Sequence, residues 1–279
     1  MPRPSSAALT RHGLLRVPAI VPLFWVIKLL STAMGESTSD YLVHTITPVV
    51  AVLVGFVAFL AALAVQLRMG RYVAWAYWLA VVMVGTFGTM AADVLHVALG
   101  VPYVVSTVLC AAVLAGVFVS WQRTEHTLSI HTVDTTRREL FYWAAVVATF
   151  AMGTALGDLT AYTLGLGYFT SAVIFAVLIA VPAVGYRFGR WNAVFCFWFA
   201  YVLTRPLGAS IADGLAKPRS LHGLGLGSGP VALAFAVLIA VLVAYLSVTK
   251  SDVQREPRTV VRPSSTPRRV VDVHPDPSH

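Results

Sequence analysis

The chain has 279 residues, of which 58% are hydrophobic and 11% are charged. Soluble domains carry about 25% charged residues, so this composition excludes a protein whose whole surface faces water. The formal net charge of +8 does not indicate nucleic-acid binding, because the basic residues lie in short loops and a tail and form no basic face with interleaved aromatic residues.

Apolar segments long enough to cross a membrane, about 20 residues each, occur eight times in the chain. We therefore predict an all-α polytopic membrane protein with eight transmembrane helices. Residues 1–18 form a predicted cytoplasmic segment, residues 19–250 the membrane domain, and residues 251–279, rich in Pro, Arg and Ser, a disordered cytoplasmic tail. The predicted spans are residues 19–43, 47–67, 73–99, 102–121, 140–164, 168–186, 192–216 and 230–249.

The basic residues between these spans predict the orientation of the chain. Sixteen Lys and Arg residues fall on the side that holds both termini, whereas only Lys217 and Arg219 fall in loops on the other side. Because cytoplasmic loops are enriched in Lys and Arg, both termini are predicted to be cytoplasmic. An even number of spans agrees with this orientation.

An internal repeat organises the predicted membrane domain. The motif is an aromatic residue, Trp, nine residues, Gly, four residues and Asp, and it occurs once in each of four two-helix units, at about 19–68, 72–122, 137–189 and 192–250. Each unit starts and ends on the same side, so the sequence predicts four parallel repeats. The motif positions are Trp25, Trp78, Trp143 and Trp198; Gly35, Gly88, Gly153 and Gly208; and Asp40, Asp93, Asp158 and Asp213.

The Trp and Gly residues of the motif are predicted to pack helices. A small residue follows each glycine four positions later, namely Ser39, Ala92, Gly157 or Ala212. Small residues at this spacing let helix backbones approach closely in a bilayer. If the first helices of the four units gather around one axis, their aspartates meet at one depth.

Seven Asp, Glu, Lys and Arg residues lie inside the predicted spans. An ionisable group at the centre of a span costs about 2.5–3.5 kcal/mol on insertion scales, and such groups commonly mark ion or proton pathways. The carboxylates are candidate cation ligands or proton carriers, although they could instead cap helices or fix helix packing. Lys28 and Arg205 are candidate countercharges or gating residues, and they place most of the polarity in units one and four. The carboxylates are Glu36, Asp40, Asp93, Asp158 and Asp213.

Two histidines near the ends of predicted spans, His44 and His96, are candidate metal ligands, although the sequence supplies no further ligand at a suitable spacing. The sequence contains no Ser-His pair in a recognisable catalytic context, no HExxH motif and no nucleophile motif, so no enzymatic activity is predicted. No cofactor is predicted other than a bound cation.

The segments KLLSTAMGESTSD, FYWAAVVATFAMGTALGDL and FWFAYVLTRPLGASIAD resemble a bacterial family of membrane-anchored proteins. That family is built from a tandem repeat of unknown function, each copy with two transmembrane segments and a conspicuous Trp. The resemblance covers about residues 19–250. It implies an eight-helix protein of the bacterial cytoplasmic (inner) membrane, and it implies no particular activity.

Two functions fit the sequence. The first is a small transporter or permeation protein for a metal ion or proton that uses the repeated aspartates, because oxygen ligands suit hard cations. The second is a membrane scaffold or sensor without transport, in which the same groups form a hydrogen-bonded network and the tail meets a soluble partner. The lipid bilayer and a small cation are the predicted partners, nucleic acid is not, and the oligomeric state is left open.

Overall fold

The computed structural model describes residues 15–94, 96 and 99–254. These residues form eight long helices and short helical turns, and no β-strand is found among them. The predicted all-α fold is thus confirmed for the described part of the chain. The helices are α1 (Pro22–Thr45), α2 (Pro48–Met69), α3 (Ala74–Asp93), α4 (Tyr103–Glu125), α5 (Thr136–Asp158), α6 (Gly167–Phe188), α7 (Ala193–Ala216) and α8 (Ser228–Thr249).

Local sequence signals fix the ends of several helices. Proline opens α1 and α2, where its missing N–H group is not needed. The Asn192 side chain caps α7 by accepting hydrogen bonds from the backbone N–H groups of Val194 and Phe195 at 2.9 and 3.1 Å. Gly70 ends α2 with a left-handed backbone, at a φ of 63°.

Some helices end at other residues than predicted. Helix α4 ends at Glu125, beyond its predicted span, and α5 begins at Thr136, before its predicted span. Glu125 accepts hydrogen bonds from Arg137 and Arg138 and so links these two helix ends. The α-helical geometry of α3 ends at Asp93, and the described residues Val94 and His96 beyond it have π-helical geometry. A π-helical segment, Leu159–Thr163, also follows Asp158.

Seven of the eight long helices are long and apolar enough to cross a membrane, which supports a membrane protein. Helix α1 is not among these seven. It carries Lys28, Glu36 and Asp40 together with several Ser and Thr residues, and these lower its hydropathy.

The helices are arranged as an inner ring and an outer layer. The inner ring consists of α1, α3, α5 and α7, each of which packs against two others, and α7 closes the ring on α1. The outer helices are α2, α4, α6 and α8. Each outer helix packs mainly against the inner helix of the following repeat, so α2 lies on α3, α4 on α5, α6 on α7, and α8 on α1. Because each outer helix packs on the next repeat, contacts between repeats connect all four units.

The aromatic-Trp pairs form a belt at one end of the ring. Each aromatic residue that precedes a motif Trp contacts the Trp of a neighbouring repeat. The ring centroids are 5.6 Å apart for Phe24 and Trp78 and for Tyr77 and Trp143, 6.1 Å for Tyr142 and Trp198, and 5.7 Å for Phe197 and Trp25. Equivalent residues therefore make equivalent contacts around the whole ring.

The motif glycines let the inner helices touch. A Cβ atom at Gly35 would lie 2.8 Å from the backbone of Gly85 on the next inner helix, and one at Gly153 would lie 2.5 Å from the Arg205 side chain. A Cβ atom at Gly88 would meet Phe150, and one at Gly208 would meet Thr32. In all four repeats the glycine lies against the residue seven positions after the Trp of the next unit.

Loop segments cover the end of the bundle beyond the aromatic belt. Arg16 donates a hydrogen bond to the buried Glu139 at 2.7 Å, and Tyr72 donates one to Asp252. The Gln254 side chain donates to the backbone oxygens of Val17 and Pro18 at 3.2 and 3.0 Å.

Residues 251–254, the start of the predicted disordered tail, contact the segment before α1. The Asp252 backbone oxygen accepts a hydrogen bond from Ala19 at 2.7 Å, which fixes this segment against the N-terminal one. From residue 255 onward the predicted tail lies outside the described residues, as does most of the predicted N-terminal segment.

Candidate functional site

The interior of the inner ring is built in layers. Starting from the aromatic residue before each motif Trp, every fourth residue of an inner helix adds one layer, and the fifth layer is the aspartates. From the belt inward the next three layers are Lys28, Val81, Val146 and Tyr201; then Thr32, Gly85, Phe150 and Arg205; then Glu36, Thr89, Thr154 and Ala209. The polar and aromatic residues of these three layers are buried, namely Lys28, Tyr201, Thr32, Phe150, Arg205, Glu36, Thr89 and Thr154.

Arg205 joins all four inner helices at the centre of the ring. Its guanidinium group donates hydrogen bonds to Glu36 on α1 at 2.7 Å and to Thr154 on α5 at 2.8 Å, and it also donates to Thr89 on α3. Only 1% of Arg205 and 5% of Glu36 is exposed. The carboxylate partner that the sequence could not specify for Arg205 is thus Glu36.

Lys28 lies one layer closer to the aromatic belt. Its Nζ atom is 4.0 Å from the ring centre of Phe150 and 4.1 Å from that of Tyr201. It is buried, and no described residue forms a hydrogen bond with Nζ. The contact is a desolvated cation–π arrangement. Lys28 and Arg205, the two predicted countercharges, therefore occupy successive layers of one axis.

Side chains of the described residues fill this axis between the belt and Glu36. Tyr77 and Tyr142 share a hydrogen bond between their hydroxyl groups. Tyr77, Lys28, Phe150 and Arg205 are each at most 1% exposed. The ring is consequently closed on the belt side of Glu36 in this conformation.

The aspartate layer lies at the end of the ring beyond Glu36. Asp40 and Asp213 are brought together by Lys217, whose Nζ atom lies 2.5 Å from Asp40 Oδ2 and 3.8 Å from Asp213 Oδ1. Asp93 and Asp158 are partly buried at the corresponding positions of α3 and α5. Within the described part of the chain neither forms an ion pair.

Lys217 is a site residue that the sequence analysis assigned to a loop. It follows directly after α7, where it caps the helix. Burial lowers the pKa of its ammonium group, but the carboxylates of Asp213 and Asp40 outweigh this effect and raise the pKa above its ordinary value. The spacing of four residues from Asp213 is the signal that could have identified it, because residues at i and i+4 are neighbours on a helix.

The two candidate metal-binding histidines belong to no cluster of potential metal ligands among the described residues. His44 Nδ1 is 2.6 Å from the backbone oxygen of Asp40. Both ring nitrogens of His96 have protein neighbours, at 3.0 Å from the Val101 oxygen and 3.3 Å from Ser106 Oγ. Among residues 15–94, 96 and 99–254, no three His, Cys, Asp or Glu side chains are grouped so that they could hold a metal ion.

A cavity of about 680 Å³ lies beside the axis, between α1, α6 and α7. It is lined mostly by apolar side chains and ends at the connector residues Leu128–His131. None of the repeated carboxylates lines it, so it is distinct from the aspartate layer.

Comparison with known proteins identifies the repeat. A family described as a repeat of unknown function (DUF347) matches the chain four times, over residues 23–72, 76–127, 141–190 and 196–252. No match was found among curated proteins or among solved structures. The four matches together cover well over half of the sequence and confirm the resemblance inferred from its motifs. The chain belongs to this family of tandem repeats of unknown function.

Proposed function

We propose that the protein is a multi-pass protein of a bacterial inner membrane, with all eight long helices spanning the bilayer and both termini in the cytoplasm. Two observations support this topology. Equivalent aromatic and Trp residues meet around the whole ring, as expected for four repeats that run parallel. The loops at the belt end carry most of the basic residues, which the positive-inside rule assigns to the cytoplasm.

We further propose that the aspartate layer binds a cation and that the protein moves this cation, a metal ion or a proton, across the membrane. The observation that carries the proposal is the position of Lys217, whose ammonium group lies between Asp40 and Asp213. These carboxylates thus already hold a positively charged group. Carboxylate oxygens are also the ligands that hard metal ions prefer.

The layers below the aspartates suggest an order of events. A cation arriving from the aspartate side displaces Lys217, and Asp40, Asp93, Asp158 and Asp213 then close around it, since no three of these carboxylates are grouped for a metal ion in the described conformation. Glu36 is the next carboxylate on the axis, and it becomes available when Arg205 releases it. Arg205 and Lys28 then act as the gate. The permanent guanidinium charge of Arg205 opposes the passage of a cation, and Lys28 fills the next layer of the axis.

Flux measurements in proteoliposomes test this proposal. Uptake of a panel of monovalent and divalent cations is measured with and without a pH gradient. Wild type is compared with a variant carrying Asp→Asn at positions 40, 93, 158 and 213. Asp134→Asn, a partly exposed position outside the ring, is the matched control. Flux that the fourfold variant loses and the control keeps supports transport, and no flux for any cation rejects it.

The Arg205 network favours a second candidate function, a membrane scaffold or sensor without transport. Arg205 connects the inner helices of all four repeats through Glu36, Thr89 and Thr154, which is the arrangement expected for a group that fixes helix packing. Under this alternative a soluble partner is recruited by the tail. Deletion of residues 255–279 should then have the same cellular effect as loss of the whole protein, whereas a transporter should tolerate the deletion.

A further inference from the structure

The proposed cation pathway does not use the cavity between α1, α6 and α7. Its walls include Trp25 of α1, Phe197 and Leu207 of α7, and Ile179 and Ala183 of α6. Ser129 and His131 of the connector line one end of it, and Thr204 of α7 is a further polar lining residue. The cavity is therefore a long apolar cleft with one polar end.

Comparison of repeats two and three explains why the cleft exists. The two repeats align without gaps at an offset of 65 residues, the distance from Trp78 to Trp143. Gly100 and Gly165, equivalent at this offset, both have a φ of 64°. Ser106 and Ser171, also equivalent, are both completely buried. The same offset can therefore be used to compare α4 with α6.

In repeat two the equivalent space is filled by aromatic side chains of α4. Phe118 and Trp121 lie 4.9 and 5.8 Å from the ring of Trp198 on α7. Their counterparts on α6 are Ala183 and Tyr186. Ala183 is too small to reach Trp25, and Tyr186 is 59% exposed where Trp121 is completely buried. The cleft is thus the volume that a missing aromatic side chain leaves open.

The surroundings of the cleft indicate its occupant. Helix α6 is apolar enough to span a membrane, and its cleft-lining residues Ala183 and Tyr186 are exposed, so the mouth of the cleft opens where lipid chains are the available ligand. A volume of about 680 Å³ lies within the range of ligand pockets. At the polar end, α6 carries Arg187 in its last turn and Arg190 follows, and such basic residues attract anionic headgroups.

We infer that the cleft between α1, α6 and α7 binds one acyl chain of an anionic phospholipid, with its headgroup near His131 and Arg187. The inference does not depend on cation transport, because the cleft shares no residue with the carboxylate layers. The apolar walls hold the chain, and the basic end selects the headgroup.

Native mass spectrometry of the full chain in detergent tests this inference. The probes are phosphatidylglycerol and phosphatidylcholine with identical acyl chains. Ala183→Phe restores the side chain found at the equivalent position of α4, and Val184→Phe places the same group on the exposed face of α6 as a matched control. Ala200→Phe fills the cleft from α7 and serves if the first variant does not fold.

We expect wild type and Val184→Phe to retain one phosphatidylglycerol about tenfold more tightly than phosphatidylcholine, a difference of about 1.4 kcal/mol. The folded filling variant should lose this bound lipid. Equal retention of phosphatidylglycerol by wild type and the filling variant would overturn the site. Equal retention of both lipids by wild type would overturn the selection of an anionic headgroup.

Discussion

Arg205 on α7 and Glu36 on α1 form an ion pair with an N–O distance of 2.7 Å at the centre of the inner ring. The pair joins the fourth repeat to the first, and through Thr89 and Thr154 the same guanidinium group also reaches the second and third. Removing one partner of a buried ion pair is strongly destabilising, because it leaves the other charge uncompensated. The hydrogen-bonded centre of the ring therefore depends on a single side chain that only one of the four repeats supplies.

Replacing Glu36 with Gln should destabilise the protein. The substitution removes the countercharge of Arg205 but keeps the size of the side chain, and breaking a buried pair on one side costs about 3–5 kcal/mol. Thermal unfolding in detergent measures the change. The double variant Glu36→Leu/Arg205→Leu should be more stable than Glu36→Gln, because it leaves no unpaired charge. Equal stability of Glu36→Gln and wild type would contradict this account of the pair.

Replacing Gly35 with Ala should separate α1 from α3. The added Cβ would lie 2.8 Å from the backbone of Gly85, and a backbone atom cannot rotate away as a side chain can. Overpacking of this kind costs about 1–3 kcal/mol. The matched control is Gly116→Ala on α4, where a Cβ would meet nothing within 4 Å; it should raise stability by about 0.5–1 kcal/mol through helix propensity. Unfolding midpoints that move in the same direction for both variants would reject the close approach as the cause.

The repeated motif predicts much of this arrangement. Its aromatic, Trp and Gly positions, such as Phe24, Trp78 and Gly35, all lie at contacts between inner helices. The sequence does not reveal that α2 packs mainly on α3 and α8 on α1. Their exposed valines and leucines, for example Val57 and Val241, show that these helices are apolar on many sides, so no amphipathic face identifies the neighbour.

The partners of the buried charges also lie beyond the sequence. Five carboxylates fall within predicted spans, and only the relative position of the helices determines that Arg205 meets Glu36 and Lys217 meets Asp40. Lys28 shows the same limit. Its residue type suggests a countercharge for a carboxylate, whereas its Nζ atom lies beside the rings of Phe150 and Tyr201.

Replacing Lys217 with Gln should strengthen cation binding at the aspartate layer, if the proposed function is correct. The ammonium group occupies carboxylate oxygens that a cation would use, and a hydrogen bond to a charged group contributes about 1.5–3 kcal/mol. Removing this competitor should raise the affinity for the transported cation about tenfold. Calorimetric titration of the detergent-solubilised protein measures the affinity, with Arg219→Gln in the following turn as the control. An unchanged or weaker affinity in Lys217→Gln would show that Lys217 helps to hold the cation or lies outside its site.

Replacing Asp252 with Asn should make the loop-covered end of the bundle less sensitive to pH. Burial raises the pKa of the Asp252 carboxyl group above its ordinary value, although the hydrogen bond from Tyr72 opposes this shift. A raised pKa means that folding favours the protonated acid. Its contribution to stability is therefore complete below the ordinary value of about 3.9 and is lost as the pH rises through the higher folded-state pKa.

Asn resembles the protonated acid at every pH, so Asp252→Asn should gain thermal stability relative to wild type as the pH is raised from about 4 to about 7. Melting curves of both proteins across this interval measure the difference. Asp134→Asn provides the comparison, because it removes an ion pair with Arg138 at 3.1 Å and should show no such gain. A difference between Asp252→Asn and wild type that stays constant with pH would mean that the carboxyl group has the same pKa in the folded and unfolded protein. The contact with Tyr72 would then hold the C-terminal segment equally well in either protonation state.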